Sequence, residues 1–187
     1  MGALNAWPCR RVRRTDRAFA TLWTMNTIEF HTDLFPVSWG QGQWPVVNIA
    51  VDGVPLVELV RAVELPFAQA EEAERAGDFT DFPPGTLTQQ LAGDYIPLSS
   101  KFAWPSRHYL GEPIEVPHGG DDGETMVLGC SCGINDCWAL LTRITLAERT
   151  VTWSGFRNSG RSWDLSGLGP FVFSRSQYET SLRATVT

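Results

Sequence analysis

The sequence predicts a single α+β domain in which an antiparallel β-meander sheet packs against a few helices. Three strand-like segments, 125–132, 137–146 and 150–156, are joined by connections of only four and three residues, which is typical of an antiparallel meander. An apolar repeat with helical spacing precedes them at residues 56–63. At 187 residues, the chain can bury a core that needs no disulfides.

Two further strands are predicted near the start of the domain. Residues 27–34 are strand-like, and residues 46–51 form a strong β-branched run. The Asp52-Gly53 pair that closes this run is a turn signal, because both residues tolerate positive φ.

Helices are predicted on either side of Pro66. The first begins at Pro55, which suits a first helical turn, and it carries an apolar stripe with i, i+3, i+4, i+7 spacing. That stripe consists of Leu56, Leu59, Val60 and Val63. Pro66 is expected to end this helix, since proline removes a helical hydrogen bond. Residues 67–76 then form a second helix by composition, with Gly77 placed as its C′ residue.

The remaining segments are predicted from turn residues and capping signals. Residues 78–124 carry many prolines and glycines, so they are expected to be mostly loop with a short helix near 87–92. After the meander, 171–173 is a short apolar strand. A terminal helix over 175–185 is predicted to be capped by Ser174 or Ser176, with Ser176 and Glu179 forming a capping box.

Charge divides the chain into a basic N-terminal segment and an acidic domain. Five arginines and Asp16 give residues 1–24 a charge of +4, so the formal net charge of −6 conceals −10 in the remainder. We interpret residues 1–25 as a non-native or disordered basic extension and residues 26–187 as the domain, with Met25 as the start of translation. The acidic balance argues against a nucleic-acid partner, and the sequence has no apolar run of the length that spans a membrane.

The most specific chemical signal is a cluster of three cysteines. Cys130, Cys132 and Cys137 occur in the run C-S-C-G-I-N-D-C-W. Alternate strand residues share one face, and a four-residue hairpin loop at 133–136 would place Cys132 opposite Cys137. All three sulfur atoms are therefore expected to converge at the loop end of one hairpin.

Three convergent thiols leave three interpretations open. They could hold a metal ion, with zinc preferred, and His118 is the first candidate for the fourth ligand, followed by His108, Asp136 or water. They could instead support thiol redox chemistry through a reversible disulfide between Cys132 and Cys137. Finally, they could be buried thiols that pack as small apolar side chains.

Four further residues are candidates for a ligand or partner surface. Tryptophans in loops are costly to expose, so they either cap the core or contact a partner. Arginine and histidine side chains in a loop could meet an anionic ligand. The four candidates are Trp104, Trp163, Arg107 and His108. The sequence has no metalloprotease, nucleophile-elbow or phosphate-loop motif, so no catalytic residue is assigned.

The C-terminal part resembles a family of small bacterial proteins. The likeness covers about residues 46–183 and is densest in three runs: L-G-C-S-C-G-I-N-D-C-W, V-T-W-S-G-F-R-N and W-D-L-S-G-L-G-P-F-V-F-S-R-S-Q-Y-E. That family has no established activity, so the resemblance implies a bacterial, cytoplasmic protein and says nothing about a reaction.

These features predict a cytoplasmic, non-enzymatic binding or accessory module with a zinc site at the cysteine hairpin. Two alternatives stay open. One is a thiol-redox or metal-dependent enzyme that uses the same cysteines. The other is an acidic inhibitor- or immunity-like protein that binds a basic partner protein.

Overall fold

The fold is built on one antiparallel sheet. The computed structural model describes residues 25–36, 42–78, 81–117, 119–134 and 137–186. Within those ranges the strands are β1 Ile28–Pro36, β2 Gln43–Val51, β3 Val54–Pro55, β4 Tyr95–Ser99, β5 Thr125–Cys130, β6 Ala139–Leu146, β7 Thr150–Asn158 and β8 Phe171–Ser174. Their spatial order is β1-β2-β4-β5-β6-β7-β8, and β3 pairs with β2. The predicted α+β class and its meander, which is β5-β6-β7, are confirmed.

The sheet curls until its two outermost strands meet. The Asn26 N–H donates to the carbonyl of Val172 at 2.7 Å, and the Val172 N–H donates back to the Asn26 side-chain oxygen at 3.0 Å. The backbone just ahead of β1 therefore closes against β8, which protects this part of the two sheet edges.

The predicted turn at Asp52-Gly53 joins β2 to β3. Both residues have positive φ, 52° for Asp52 and 78° for Gly53, as a two-residue hairpin turn requires. The Asp52 carboxylate accepts hydrogen bonds from the Thr27 N–H and the Asn26 side chain, each at 2.7 Å. These bonds lower the pKa of Asp52 and tie the turn to the start of β1.

The helices are α1 Leu56–Glu74, α2 Thr86–Leu91 and α3 Arg175–Arg183. The predicted break at Pro66 is wrong, because α1 continues through that residue and ends at Glu74. Its buried positions, Leu56, Val60, Glu64 and Ala68, lie on both sides of the proline. We infer that packing along this stripe offsets the one hydrogen bond that proline removes.

The predicted capping box at the start of α3 does not form. Ser174 occupies the N-cap position, and its side chain makes no capping hydrogen bond. Glu179 instead pairs with Arg175 at 2.8 Å and Arg183 at 3.2 Å. These arginines lie one turn before and one turn after Glu179, where they compete for its carboxylate with the backbone that a capping box would use.

The long segment predicted as loop contains a strand and two 3₁₀ turns. The turns are Ser100–Phe102 and His108–Leu110. β4 lies between β2 and β5 in the sheet, although Pro97 sits at its centre. No helix among the described residues combines the length and the apolar composition needed to cross a membrane.

An aromatic cluster fills the core between the sheet and α3. Trp153 of β7 is fully buried against the rings of Phe30, Phe173 and Tyr178. Its indole N–H donates to the Tyr178 hydroxyl at 3.1 Å, and that hydroxyl donates to the Tyr109 carbonyl at 2.6 Å. Tyr178 and Leu182 both face inward from α3.

Candidate metal centre

The three cysteines lie where the β5-β6 ladder stops. The last residues paired between β5 and β6 are Gly129 and Ala139, and β5 itself ends one residue later at Cys130. Beyond Cys130 the backbone folds into a turn, in which the Gly133 N–H donates to the Cys130 carbonyl at 3.0 Å. Gly133 has a φ of 76°, a conformation in which glycine is strongly favoured.

This turn brings the three sulfur atoms together. The Cys130 Sγ is 2.8 Å from the Cys132 Sγ, which is 3.3 Å from the Cys137 Sγ. All three sulfurs lie within 4.8 Å of one another, and none of them is part of a disulfide. The predicted convergence is confirmed. The predicted cause is wrong, because Cys132 lies in a turn and does not face Cys137 across the ladder.

The three thiols differ in exposure and acidity. Cys130 is buried, whereas Cys132 and Cys137 are exposed. Burial and the hydrogen bond to Cys132 raise the pKa of Cys130 to about 12. Partial desolvation of Cys132 is outweighed by hydrogen bonds from the Cys130 thiol and the Ile134 N–H, which lower its pKa. Of these two thiols, Cys132 is therefore the one that loses its proton first.

The donor set fits a thiophilic metal ion. In a tetrahedral zinc site with Zn–S bonds of about 2.3 Å, neighbouring sulfurs are about 3.8 Å apart. Two of the distances here, 2.8 and 3.3 Å, are shorter than that value, and the third is at most 4.8 Å. Sulfur shifts of about 1 Å would bring Cys130, Cys132 and Cys137 into register around one zinc ion.

Three side chains are candidates for the fourth ligand: His118, Asp136 and His108. The first candidate, His118, lies outside the described residues, and so does Asp136. His108 is fully buried, and both of its ring nitrogens are engaged. Its Nε2 donates to the Met126 carbonyl at 2.7 Å, and its Nδ1 accepts from the Ile114 N–H at 3.3 Å. His108 therefore has no ring nitrogen left for a metal.

The residues predicted to form a ligand or partner surface have different surroundings. His108 lies in the core. Burial lowers its pKa, and both of its hydrogen bonds suit the neutral ring. Arg107 donates to both carboxylate oxygens of Glu112, at 2.7 and 2.6 Å. Trp104 is half-buried beneath the Arg183 guanidinium, 4.9 Å from the ring centre. A ligand surface formed by Trp104, Trp163 and Arg107 stays a prediction.

Trp163 is connected to the cysteine loop. The Arg161 guanidinium lies 4.7 Å from the ring centre of Trp163 and 4.8 Å from that of Trp138, the residue after Cys137. Phe67 of α1 stacks on the outer side of Trp163 at 6.0 Å. This stack joins α1 to the loop that carries the cysteines.

Sequence reasoning missed two contributors to this region, Glu64 and the backbone carbonyl of Asp94. Glu64 is fully buried on α1, four residues after Val60. A charged residue at a position that continues an apolar stripe is the signal that could have identified it. No sequence signal marks the Asp94 carbonyl, because any residue carries one.

Two cavities adjoin these elements. One of about 280 Å³ has Cys130, Gly129 and Gly133 in its wall, together with aromatic side chains. A larger groove of about 690 Å³ lies between α1 and residues 82–90, and none of its lining residues is a cysteine.

Comparison of the chain with protein-family models, curated proteins and solved structures finds no match.

Proposed function

We propose that this protein is a non-enzymatic binding or accessory module that holds a structural zinc ion through Cys130, Cys132 and Cys137. The observation that carries the proposal is the convergence of three sulfur atoms within 4.8 Å in one short loop. Thiolates are preferred zinc ligands. In a structural site four protein ligands surround the zinc and leave no coordination position open. The fourth protein ligand would be His118 or Asp136, and a water in their place would occupy the position that catalytic zinc sites keep open.

The position of the cluster supports a structural role. Ladder pairing between β5 and β6 ends at Gly129 and Ala139, so this ladder does not hold the loop beyond them. A metal bound there would cross-link the two strand ends. Clustered cysteines that bind a metal are typical of a reducing compartment, and we carry over here the bacterial, cytoplasmic origin that the resemblance implies.

The test is the metal content of protein purified without chelators. We expect roughly one zinc per chain, and we expect Cys132→Ser to remove most of it, because a site reduced to two thiolates binds zinc weakly. Cys9→Ser is the matched control and should leave the zinc content unchanged. Substoichiometric zinc that is insensitive to Cys132→Ser would overturn the proposal.

A reversible disulfide is the second candidate function. The Cys132 and Cys137 sulfurs are 3.3 Å apart, both residues are exposed, and the pKa of Cys132 is lowered. Hydrogen peroxide would accept two electrons and two protons from this pair, giving one disulfide and two waters. Mass spectrometry after peroxide treatment, with and without zinc, separates the candidates. A structural zinc site predicts protection of the thiols by zinc, whereas a redox site predicts rapid oxidation of protein that was isolated without metal.

A further inference from the structure

Residues 93–95 hold both sides of the cysteine loop. The Asp94 carbonyl accepts a hydrogen bond from the Ser131 N–H at 3.4 Å and another from the Trp138 indole N–H at 3.2 Å. Ser131 lies between two of the cysteines, and Trp138 follows the third. One carbonyl oxygen therefore fixes the entry and the exit of the loop relative to each other.

The Glu64 carboxylate in turn holds residues 93–95. Its Oε2 accepts from the Gly93 N–H at 2.8 Å, and its Oε1 accepts from the Tyr95 hydroxyl at 2.6 Å. The Tyr95 hydroxyl also accepts from the Asn158 side chain at 2.7 Å. In addition, Tyr95 pairs with Cys130 across the β4-β5 ladder.

This arrangement leaves the segment little freedom. Glu64 is fully buried, so its two hydrogen bonds form away from water and are strongly directional. Gly93 has a φ of 67°, and a Cβ there would lie 2.7 Å from the Arg61 Cβ. Arg161 and Asp94 are the other charged groups near the carboxylate, and they act on it through their charge. Its hydrogen bonds come from Gly93 and Tyr95.

We propose that Glu64 is a positioning residue of the cysteine loop: it holds residues 93–95, and their Asp94 carbonyl holds the loop in the shape that brings the three sulfurs together. The zinc-affinity test of this role rests on the proposed zinc site, whereas the test by thiol reaction rate does not. Glu64 touches none of the cysteines, so it acts only through this segment.

The first test compares Glu64→Gln with Glu72→Gln. Glu72 is the matched control, because its carboxylate also holds backbone N–H groups, those of Gly85 and Thr88, at the start of α2. Zinc dissociation constants are measured by competition with a chromophoric chelator, well below the unfolding temperature of each variant. We expect zinc binding to weaken about tenfold in Glu64→Gln and to change by less than about twofold in Glu72→Gln. Equal affinities in the two variants would overturn the proposal.

The second test does not depend on a metal. The reaction rate of Cys132 with an aromatic disulfide reagent is measured in chelator-treated wild type, Glu64→Gln and Trp138→Phe. Trp138→Phe removes the indole N–H donor and keeps an aromatic ring over Arg161. We expect both variants to change the rate at least about fivefold, because the exposure of the Cys132 sulfur and its contacts with the other two sulfurs depend on the loop shape.

The outcomes separate the two proposals. If wild type binds no zinc, the zinc proposal fails and the thiol rates alone decide the role of Glu64. If Glu64→Gln binds zinc like wild type, Glu64 is not a positioning residue and the zinc proposal stands. Should Glu64→Gln fail to fold, Trp138→Phe and Tyr95→Phe carry the same test, and unchanged thiol rates in both would overturn the inference.

Discussion

The Tyr178 hydroxyl links two buried groups of the core, so its removal is a direct test of the packing described above. It accepts from the Trp153 indole N–H at 3.1 Å and donates to the Tyr109 carbonyl at 2.6 Å. Tyr178 is fully buried. Tyr178→Phe deletes this oxygen and preserves the ring, which leaves both partners without their hydrogen bond.

The cost follows from the number of orphaned groups. A buried polar group left without a partner costs about 1–3 kcal/mol, so two such groups lower the free energy of unfolding by about 2–6 kcal/mol. Tyr109→Phe is the matched control in the same cluster. Among the described residues the Tyr109 hydroxyl is buried without a hydrogen-bond partner. Its removal should leave stability unchanged or raise it by about 1 kcal/mol.

Urea unfolding followed by tryptophan fluorescence measures both variants. For a domain of this size the Tyr178→Phe loss corresponds to a fall in melting temperature of roughly 4–24 °C. The reasoning is refuted if Tyr178→Phe costs less than about 0.5 kcal/mol, or if Tyr109→Phe destabilises the protein as much.

Two other predictions concern His108 and Pro66. Burial lowers the pKa of His108 below 6.5, so the unfolded chain binds the extra proton first. The free energy of unfolding should therefore fall as the pH drops below about 6.5, with a slope of up to about 1.4 kcal/mol per pH unit. Urea titrations at a series of pH values measure this slope, and His108→Gln should make it smaller. Pro66→Ala should raise the free energy of unfolding by about 1–3 kcal/mol in the same assay, because the exposed residue 66 regains a helical N–H donor. A destabilised Pro66→Ala variant would contradict the uninterrupted α1.

Much of the sheet could be predicted because its strands carry strong local signals. β7 alternates between β-branched, aromatic and polar residues. The Asp52-Gly53 pair favours the turn between β2 and β3 through its own backbone conformation. β4 could not be found this way. It has only five residues with Pro97 at the centre, and its position between β2 and β5 depends on distant partners.

The candidate site was predictable in outline but not in its path. The spacing of Cys130, Cys132 and Cys137 correctly indicated convergence, because any tight connection between β5 and β6 brings these positions close. The turn that moves Cys132 off the strand depends on the positive φ of Gly133. Counting the residues between the strands does not predict this backbone conformation. The supporting role of Asp94 rests on a backbone carbonyl, and side-chain patterns carry no information about it.

The central claim is that three cysteines of one loop bind a zinc ion. X-ray absorption at the zinc edge, on protein purified without chelators, tests it most directly. We predict three sulfur ligands at about 2.3 Å and one nitrogen or oxygen ligand at about 2.0–2.1 Å. A zinc environment made only of nitrogen and oxygen, or protein that carries no zinc, would contradict the account.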